Sequence, residues 1–356
     1  MKNSLDDLKF IRGLDKSDML GLLTGFPAQL KNASVINIPD LDAGTEFSNI
    51  VFSGVGGSAI GGDIVKCAII DEIKIPFLVN REYRTPAFVG PETLFFASSY
   101  SGNTEETIGA YKEELKKKAR IIAITTGGEI EKMARKDGFP VVKLPAGMPP
   151  RAAVGYSFVP ALNVLSKMGL ISDKKNDIKE TADLVGGLRD DSVGPDVPAG
   201  KNPAKDIASL LYGRSCAVYG GSQHLDCAVL RWRNQFEENS KALASSHFLP
   251  EMDHNEIMGF SHPAKALKDT VVVFLKDRGD HPRIKDRIEI TASVIKASVH
   301  KVIEAESKGN SLIARICSLI CMGDFVSFYL AILNGEDPTP VDEITYLKNE
   351  LAKRKI

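Results

Sequence analysis

Surplus positive charge is the first thing these 356 residues lack: 45 Lys and Arg stand against 46 Asp and Glu, a net charge of −1. A protein that tracks nucleic acid or an anionic membrane needs excess cations to neutralise many phosphates. Both partner classes are therefore disfavoured, while a local site for one small phosphate is not. Cysteine is scarce too. Cys67, Cys216, Cys227, Cys317 and Cys321 are odd in number and contain no C-x-x-C pair, which argues against a zinc knuckle or redox dithiol and for buried small hydrophobes in a reducing compartment. No signal peptide is expected from Met1-Lys2-Asn3-Ser4-Leu5-Asp6-Asp7, which carries acids where one needs hydrophobes. The most apolar stretch, 312–333, is broken by Arg315 and Asp324 and reads as a core helix rather than a membrane span. The expectation is a soluble, cytoplasmic chain.

What is present is an enzyme-like balance, 43% apolar and 26% charged, in a length that suits two α/β lobes. After one or two short N-terminal helices, apolar runs at 50–54, 94–98, 121–125 and 141–144 each end at Gly, Ser, Thr or Pro. They read as buried strands of a parallel sheet, with helices such as 104–118 between them. The second half repeats this logic, Cys216-Ala217-Val218-Tyr219 running into Gly220-Gly221-Ser222, with further strands at 271–275 and 299–303 and helices at 284–296, 311–334 and 341–353. Lys, Asp, Gly and Pro dominate 172–203, the expected connection. The reading is α/β, two tandem lobes of mainly parallel sheet flanked by helices: 1–171 with the N-terminal segment, a connector at 172–204, and 205–356.

Two loops could hold an anion. Gly54-Val55-Gly56-Gly57-Ser58 follows a strand and opens a helix, where backbone N–H groups converge at the positive helix end. Gly54-x-Gly56-x-x-Ala59 also satisfies a dinucleotide fingerprint, so an oxidoreductase is one alternative. The region that should carry its ribose-binding acid reads Asn80-Arg81-Glu82. The next strand ends in Ser98-Ser99-Tyr100-Ser101-Gly102-Asn103-Thr104. Hydroxyls at Ser99, Ser101 and Thr104 around a glycine suit a monoester phosphate. Thr104 or Asn103 as a plain N-cap is equally compatible with the pattern.

In the second half, Leu225, Ala228, Val229, Trp232 and Phe236 form one helix stripe, with Arg231, Asn234, Glu238 and Lys241 opposite. From spacing alone that polar face is a solvated one. Downstream, His247, Glu251 and His254 could bind a metal only on an uninterrupted helix, and Pro250 stands in the way. In the final helix Val341, Ile344, Leu347 and Leu351 define an expected buried stripe on which Lys348 falls, obliging that lysine to snorkel, pair or do chemistry. Arg151, within Pro149-Pro150-Arg151-Ala152-Ala153, reads as an ordinary loop arginine.

The serine loop resembles the phosphate loop of sugar isomerase (SIS) domains, and the Gly56-Gly57-Ser58 turn resembles its companion. With Arg231-x-x-x-Gln235-x-x-Glu238-Asn239-x-Lys241 and Pro250-Glu251-x-x-His254-Asn255-Glu256-Ile257, the chain is similar from residue 50 onward to the bifunctional phosphoglucose/phosphomannose isomerases. The resemblance implies an aldose–ketose isomerase acting on sugar 6-phosphates through a cis-enediol, with no metal or redox cofactor. It implies Glu238 as base, His254 and Lys348 in ring opening, and Arg151 against the enediolate. Gly56, Gly57, Ser58, Ser99, Ser101 and Thr104 would hold the phosphate. It also implies a homodimer in which His254 is supplied across the interface. A non-catalytic phosphosugar-binding regulator is the alternative, and it would need only the serine loops.

Overall fold

The computed structural model describes residues 5–41 and 44–354. Three short helices come first: α1 (Leu8–Leu14), α2 (Met19–Thr24) and α3 (Phe26–Ser34). The first lobe follows as β1 (Asn49–Ser53), α4 (Gly57–Ile69), β2 (Phe77–Asn80), β3 (Thr93–Ser98), α5 (Glu105–Lys117), β4 (Arg120–Thr125), α6 (Gly128–Asp137), β5 (Val141–Lys143) and α7 (Val154–Lys167). All pairings are parallel, in the order β2-β1-β3-β4-β5. Next come α8 (Lys175–Leu188) and α9 (Pro203–Leu211), then β6 (Ser215–Gly221), α10 (Asp226–Glu238), β7 (Ala244–Leu249), α11 (Ala264–Lys268), β8 (Thr270–Lys276), α12 (Pro282–Ile295), β9 (Lys301–Glu306), α13 (Leu312–Asn334) and α14 (Asp342–Ala352). The second sheet is also parallel, in the order β7-β6-β8-β9. The architecture is α/β with two parallel sheets flanked by helices.

Strand alternation explains how the lobes join. Successive strand residues point to opposite faces. Ile50, Phe52, Leu94, Phe96, Ile122 and Ile124 of the first sheet therefore share one continuous core with Val218, Val271, Val273 and Leu275 of the second, through α4, α7, α10 and α13. The intervening residues Val51, Phe95, Ala97, Ile121 and Ala123 face outward and are covered by Ala110 and Tyr111 of α5 and Ile130 and Ala134 of α6. In the second sheet Tyr219, Val272 and Phe274 are covered by Ile288 and Ile295 of α12. Runs buried on both faces lose their polar/apolar alternation, as parallel strands do.

The 312–333 run is α13, buried almost all round between the lobes. Ser311 caps its start by accepting from Ala314 N–H, and Gly335 ends it at φ +77. Its two charges are each matched: Arg315 meets Asp277 at 2.8 Å and Asp324 meets Arg231 at 2.8 Å. Residues 172–204 include a full helix, α8, whose Ile178, Ala182 and Val185 are buried. α8 packs on α13 and α3. Two strands lie outside those expected from sequence, β2 because its apolar run Phe77-Leu78-Val79 is so short and β7 because it is polar. β2 is four residues at a sheet edge with Leu78 exposed, and β7 is the polar run Ala244–Leu249.

The final helix departs from expectation. α14 has no buried residue, and Ile344, Leu347 and Leu351 are 42%, 57% and 41% exposed. Lys348 is exposed with them. Periodicity identifies an apolar face but not what covers it, and no described element of this chain buries that one.

Candidate active site

The two Gly/Ser loops lie side by side because β1 and β3 are neighbours in the sheet. Gly54 N–H donates to Asn80 O, and Gly56 turns at φ +57 into the first residue of α4. Ser58, buried, accepts the Tyr100 N–H at 3.2 Å, joining one loop to the other. Ser99 is fully buried. Its Oγ lies 2.8 Å from Thr104 Oγ1 and accepts the Gly102 N–H at 3.0 Å. Gly102 must be glycine: φ is +72, and a Cβ would fall 1.7 Å from Gly127 O.

The N-cap alternative for this loop is now narrowed. Thr104 occupies the N-cap position of α5 without a side-chain capping bond, and Asn103 Oδ1 accepts from Glu129 N–H of α6 instead. The amides of Ser101 and Thr104 have no acceptor among the described residues. Ser101 is exposed, its Oγ accepting the Asn103 N–H at 3.3 Å. Exposed hydroxyl and unspent N–H groups at a helix N-terminus form a surface that can accept an oxyanion.

Arg151 stands next to these loops. It sits on a 3-10 turn (Pro150–Ala152), and Gly57 packs so tightly on that turn that a Cβ at residue 57 would meet Pro150 O at 2.6 Å and Arg151 N at 3.0 Å. Tyr100 adds a second tie, donating to Pro145 O at 2.8 Å and accepting from Met148 N–H at 3.3 Å. The Arg151 side chain is 4% exposed as a residue, far from the loop arginine its sequence context suggested. Its Nε donates to Asn239 Oδ1 at 2.7 Å, and Nη2 donates to Pro338 O at 2.7 Å and Thr339 O at 2.8 Å. Nη1 lies 3.5 Å from Glu238 Oε2. Four of the guanidinium's fixed directions are thus used to hold it at the last residue of α10.

Of the polar face expected on α10, Arg231 is buried, Asn234 and Glu238 are half-buried and Lys241 is exposed. Arg231 and Gln235 are each 2% exposed, and Asn239 just beyond the helix is fully buried. Arg231 grips Asp324 through Nε at 3.0 Å and Nη2 at 2.8 Å, while Nη2 also donates to Arg151 O at 2.9 Å. Gln235 adds a bond to Asp324 at 3.1 Å, and Asn239 Nδ2 donates to Ser327 Oγ at 3.0 Å. Glu238 is half-buried at the rim of this network. Lys241 follows at φ +54, an uncommon conformation for a residue other than glycine. Its Nζ donates to Glu238 O at 2.7 Å. Burial lowers the Lys241 pKa, and repulsion from Arg151 adds to that. The result is a carboxylate 3.5 Å from the Arg151 guanidinium, with Lys241 on its main-chain carbonyl and the two Gly/Ser loops on the far side of the arginine's turn.

His254 and Lys348 are not brought to this cluster within one chain. His254 ends a 3-10 turn (Glu251–His254) after β7 and is exposed; Lys348 is exposed on α14. Neither has a hydrogen bond or ion pair to Arg151 or Glu238 among the described residues. The helical premise of a His247/Glu251/His254 metal site does not hold: His247 lies on β7, its Nδ1 accepting from Phe248 N–H, and the other two lie on the turn. In the region where a dinucleotide site would need its ribose-binding acid, Asn80 closes β2 and Glu82 follows Arg81. The segment after β2 uses Arg81 to pair with Asp63 of α4, and Asn80 Nδ2 to bond Glu82 O.

Comparison with known proteins gives concordant results. The family model of the bacterial phospho-glucose isomerase C-terminal SIS domain matches residues 200–351. The chain is similar to a bifunctional phosphoglucose/phosphomannose isomerase of Caldicellulosiruptor bescii, 45% identical over 326 residues, which cover 91% of this chain and 94% of that one. A protein of the same name from Thermoplasma acidophilum is 38% identical over 307 residues, covering 86% and 90%. Among solved structures, a hypothetical protein from Thermus thermophilus superposes with a TM-score of 0.77 over 99% of this chain and 94% of that chain at 15% identity, a likeness of fold.

Proposed function

The chain belongs to the bifunctional phosphoglucose/phosphomannose isomerase family and is an isomerase, and from that premise we propose that it interconverts glucose 6-phosphate and mannose 6-phosphate with fructose 6-phosphate through a cis-enediol. Gly56, Gly57, Ser58, Ser99, Ser101 and Thr104 hold the phosphate. His254 and Lys348 move the ring-opening protons, from the C1 hydroxyl and onto the ring oxygen. Glu238 removes the C2 proton and returns it to C1, while Arg151 opposes the charge that develops on the oxygens of C1 and C2. Accepting both aldose epimers requires rotation about C2–C3 in the intermediate, so that either face meets the same base.

The observation that carries this reading is the Arg151 turn. Its backbone lies against the Gly57 loop, and its guanidinium reaches Glu238 at 3.5 Å. One rigid piece of chain therefore spans from the anion loops to the candidate base. A regulator that only bound a phosphosugar would need the loops but not this link.

The exposure of His254, Lys348 and the α14 apolar stripe supports a homodimer in which a second copy covers α14 and His254 works in trans. Five free, buried cysteines suit a reducing cytoplasm. The deciding experiment supplies fructose 6-phosphate and follows both epimeric products, together with exchange of the C2 proton with solvent. Glu238→Gln should bind sugar phosphate and lose exchange. Retained exchange in that variant sinks the base assignment, and phosphate binding without either product favours the regulator.

A further inference from the structure

The N-terminal helices lie outside both sheets, yet α3 reaches the arginine's turn. Gln29 is the one buried residue of α3 with a polar side chain; its neighbours Phe26, Pro27, Leu30 and Ala33 are apolar packing. It is 3% exposed, so both ends of its amide must find partners. Nε2 donates to Ala152 O at 2.8 Å, and Oε1 accepts from Gly155 N–H at 2.5 Å. Nε2 also lies 3.5 Å from Met148 Sδ.

Those two backbone groups bracket the step from the Pro150–Ala152 turn into α7. The first turn of α7 has unsatisfied N–H groups like any helix start. Its N-cap residue is Ala153, which has no side-chain acceptor. Gln29 supplies the missing cap from another element. The fit is reciprocal, because a Cβ at Gly155 would meet Gln29 Oε1 at 2.8 Å. The turn is held from three other sides: Gly57 against its backbone, Arg231 on Arg151 O, and Asn239 with the 338 and 339 carbonyls on the guanidinium. Gln29 closes the fourth side.

We propose that Gln29 is a positioning residue for Arg151: its amide, bonded to Ala152 O and Gly155 N–H, fixes the turn that sets the guanidinium opposite Glu238. The N-terminal helices are then part of the catalytic apparatus and not only a cover for the core. The inference rests on Arg151 acting in the chemical step, and the test separates the two ideas.

Gln29→Met keeps side-chain length and packing and removes both hydrogen bonds. A displacement of the guanidinium by a fraction of an ångström should lower kcat about tenfold, with KM for fructose 6-phosphate nearly unchanged. The same substitution is then made in Arg151→Ala. If Gln29 acts through Arg151, it lowers kcat no further in that background. An equal fold-loss of kcat in both backgrounds overturns the proposal. If Arg151→Ala itself leaves kcat unchanged, the role of Arg151 fails, and the positioning role falls with it.

Should Gln29→Met not fold, Gln29→Glu gives a second readout. A protonated carboxyl both donates and accepts as the amide does, whereas a carboxylate only accepts. Its kcat relative to wild type should climb as pH falls, and a ratio below one that stays flat with pH overturns the proposal.

Discussion

Asp324 gives the sharpest quantitative test of the buried network. It lies midway along α13, 5% exposed, and takes two bonds from Arg231 and one from Gln235. Asp324→Asn keeps the volume but leaves the Arg231 guanidinium buried without a counter-charge. Removing one partner of such a pair costs about 3–5 kcal/mol. An unfolding entropy of about 2.1 cal/mol/K per residue over 356 residues is about 0.75 kcal/mol/K, so the melting temperature should fall by about 4–7 °C. Differential scanning calorimetry measures this directly. The control is Arg231→Met with Asp324→Leu and Gln235→Leu, which removes both charges and the amide that Asp324 accepted from, leaving the Arg151 carbonyl without its donor, a loss of about 1–3 kcal/mol. This control should therefore melt above the single variant, and it should lose turnover because residue 231 no longer holds the Arg151 turn. A single variant that melts within about 1 °C of wild type, or a control that melts below the single variant, would refute the view that an uncompensated charge governs the cost.

Burial pushes the Asp63 carboxyl up from 3.8 to about 6, against the attraction of Arg81 and Lys66. A raised acid pKa makes the folded state the tighter proton binder, so that stabilisation is complete below pH 3.8 and lost as pH rises through about 6. Denaturant titrations should show wild type losing about 3 kcal/mol relative to Asp63→Asn across this window; a pH-independent difference contradicts the assignment. Gly102→Ala forces a Cβ onto Gly127 O at a φ of +72, and should weaken fructose 6-phosphate binding at least about tenfold by calorimetry, or 1.4 kcal/mol. His254→Asn should abolish turnover of cyclic sugar phosphates while sparing proton exchange on a tetrose 4-phosphate, which cannot close a ring. Equal loss on both substrates would move His254 out of ring opening. Ile344→Asp with Leu347→Asp should yield monomers in sedimentation analysis and lose activity. An active monomer would remove the need for a second copy.

Much of the fold is written locally. The runs that became β1, β3, β4 and β8 are apolar because each is buried on both faces, and Ser53, Ser98 and Thr125 mark the ends of the first three, where loops must turn. The strands β2 and β7 lie at sheet edges: β7 is half-exposed and polar, and the apolar run of β2, Phe77-Leu78-Val79, is only three residues long. Charges within 312–333 were the one visible hint of Asp324. Gln29 carried no hint, since a glutamine in a short helix is ordinary until its partners, 123 and 126 residues away, are known.

The sequence by itself determined the α/β class and the parallel sheets, because these depend on short-range pattern, whereas Glu238, Arg151 and His254 became candidates through the family resemblance, spacing alone reading Arg151 as a loop arginine and Glu238 as part of a solvated face. Only the tertiary structure decided which of them meet. It joined Arg151 to Glu238, buried Arg231 on a helix face that spacing would leave in water, and exposed a C-terminal stripe that periodicity would bury. Periodicity reports that a face is apolar or polar, whereas burial depends on what the rest of the chain, or a second copy of it, lays over that face.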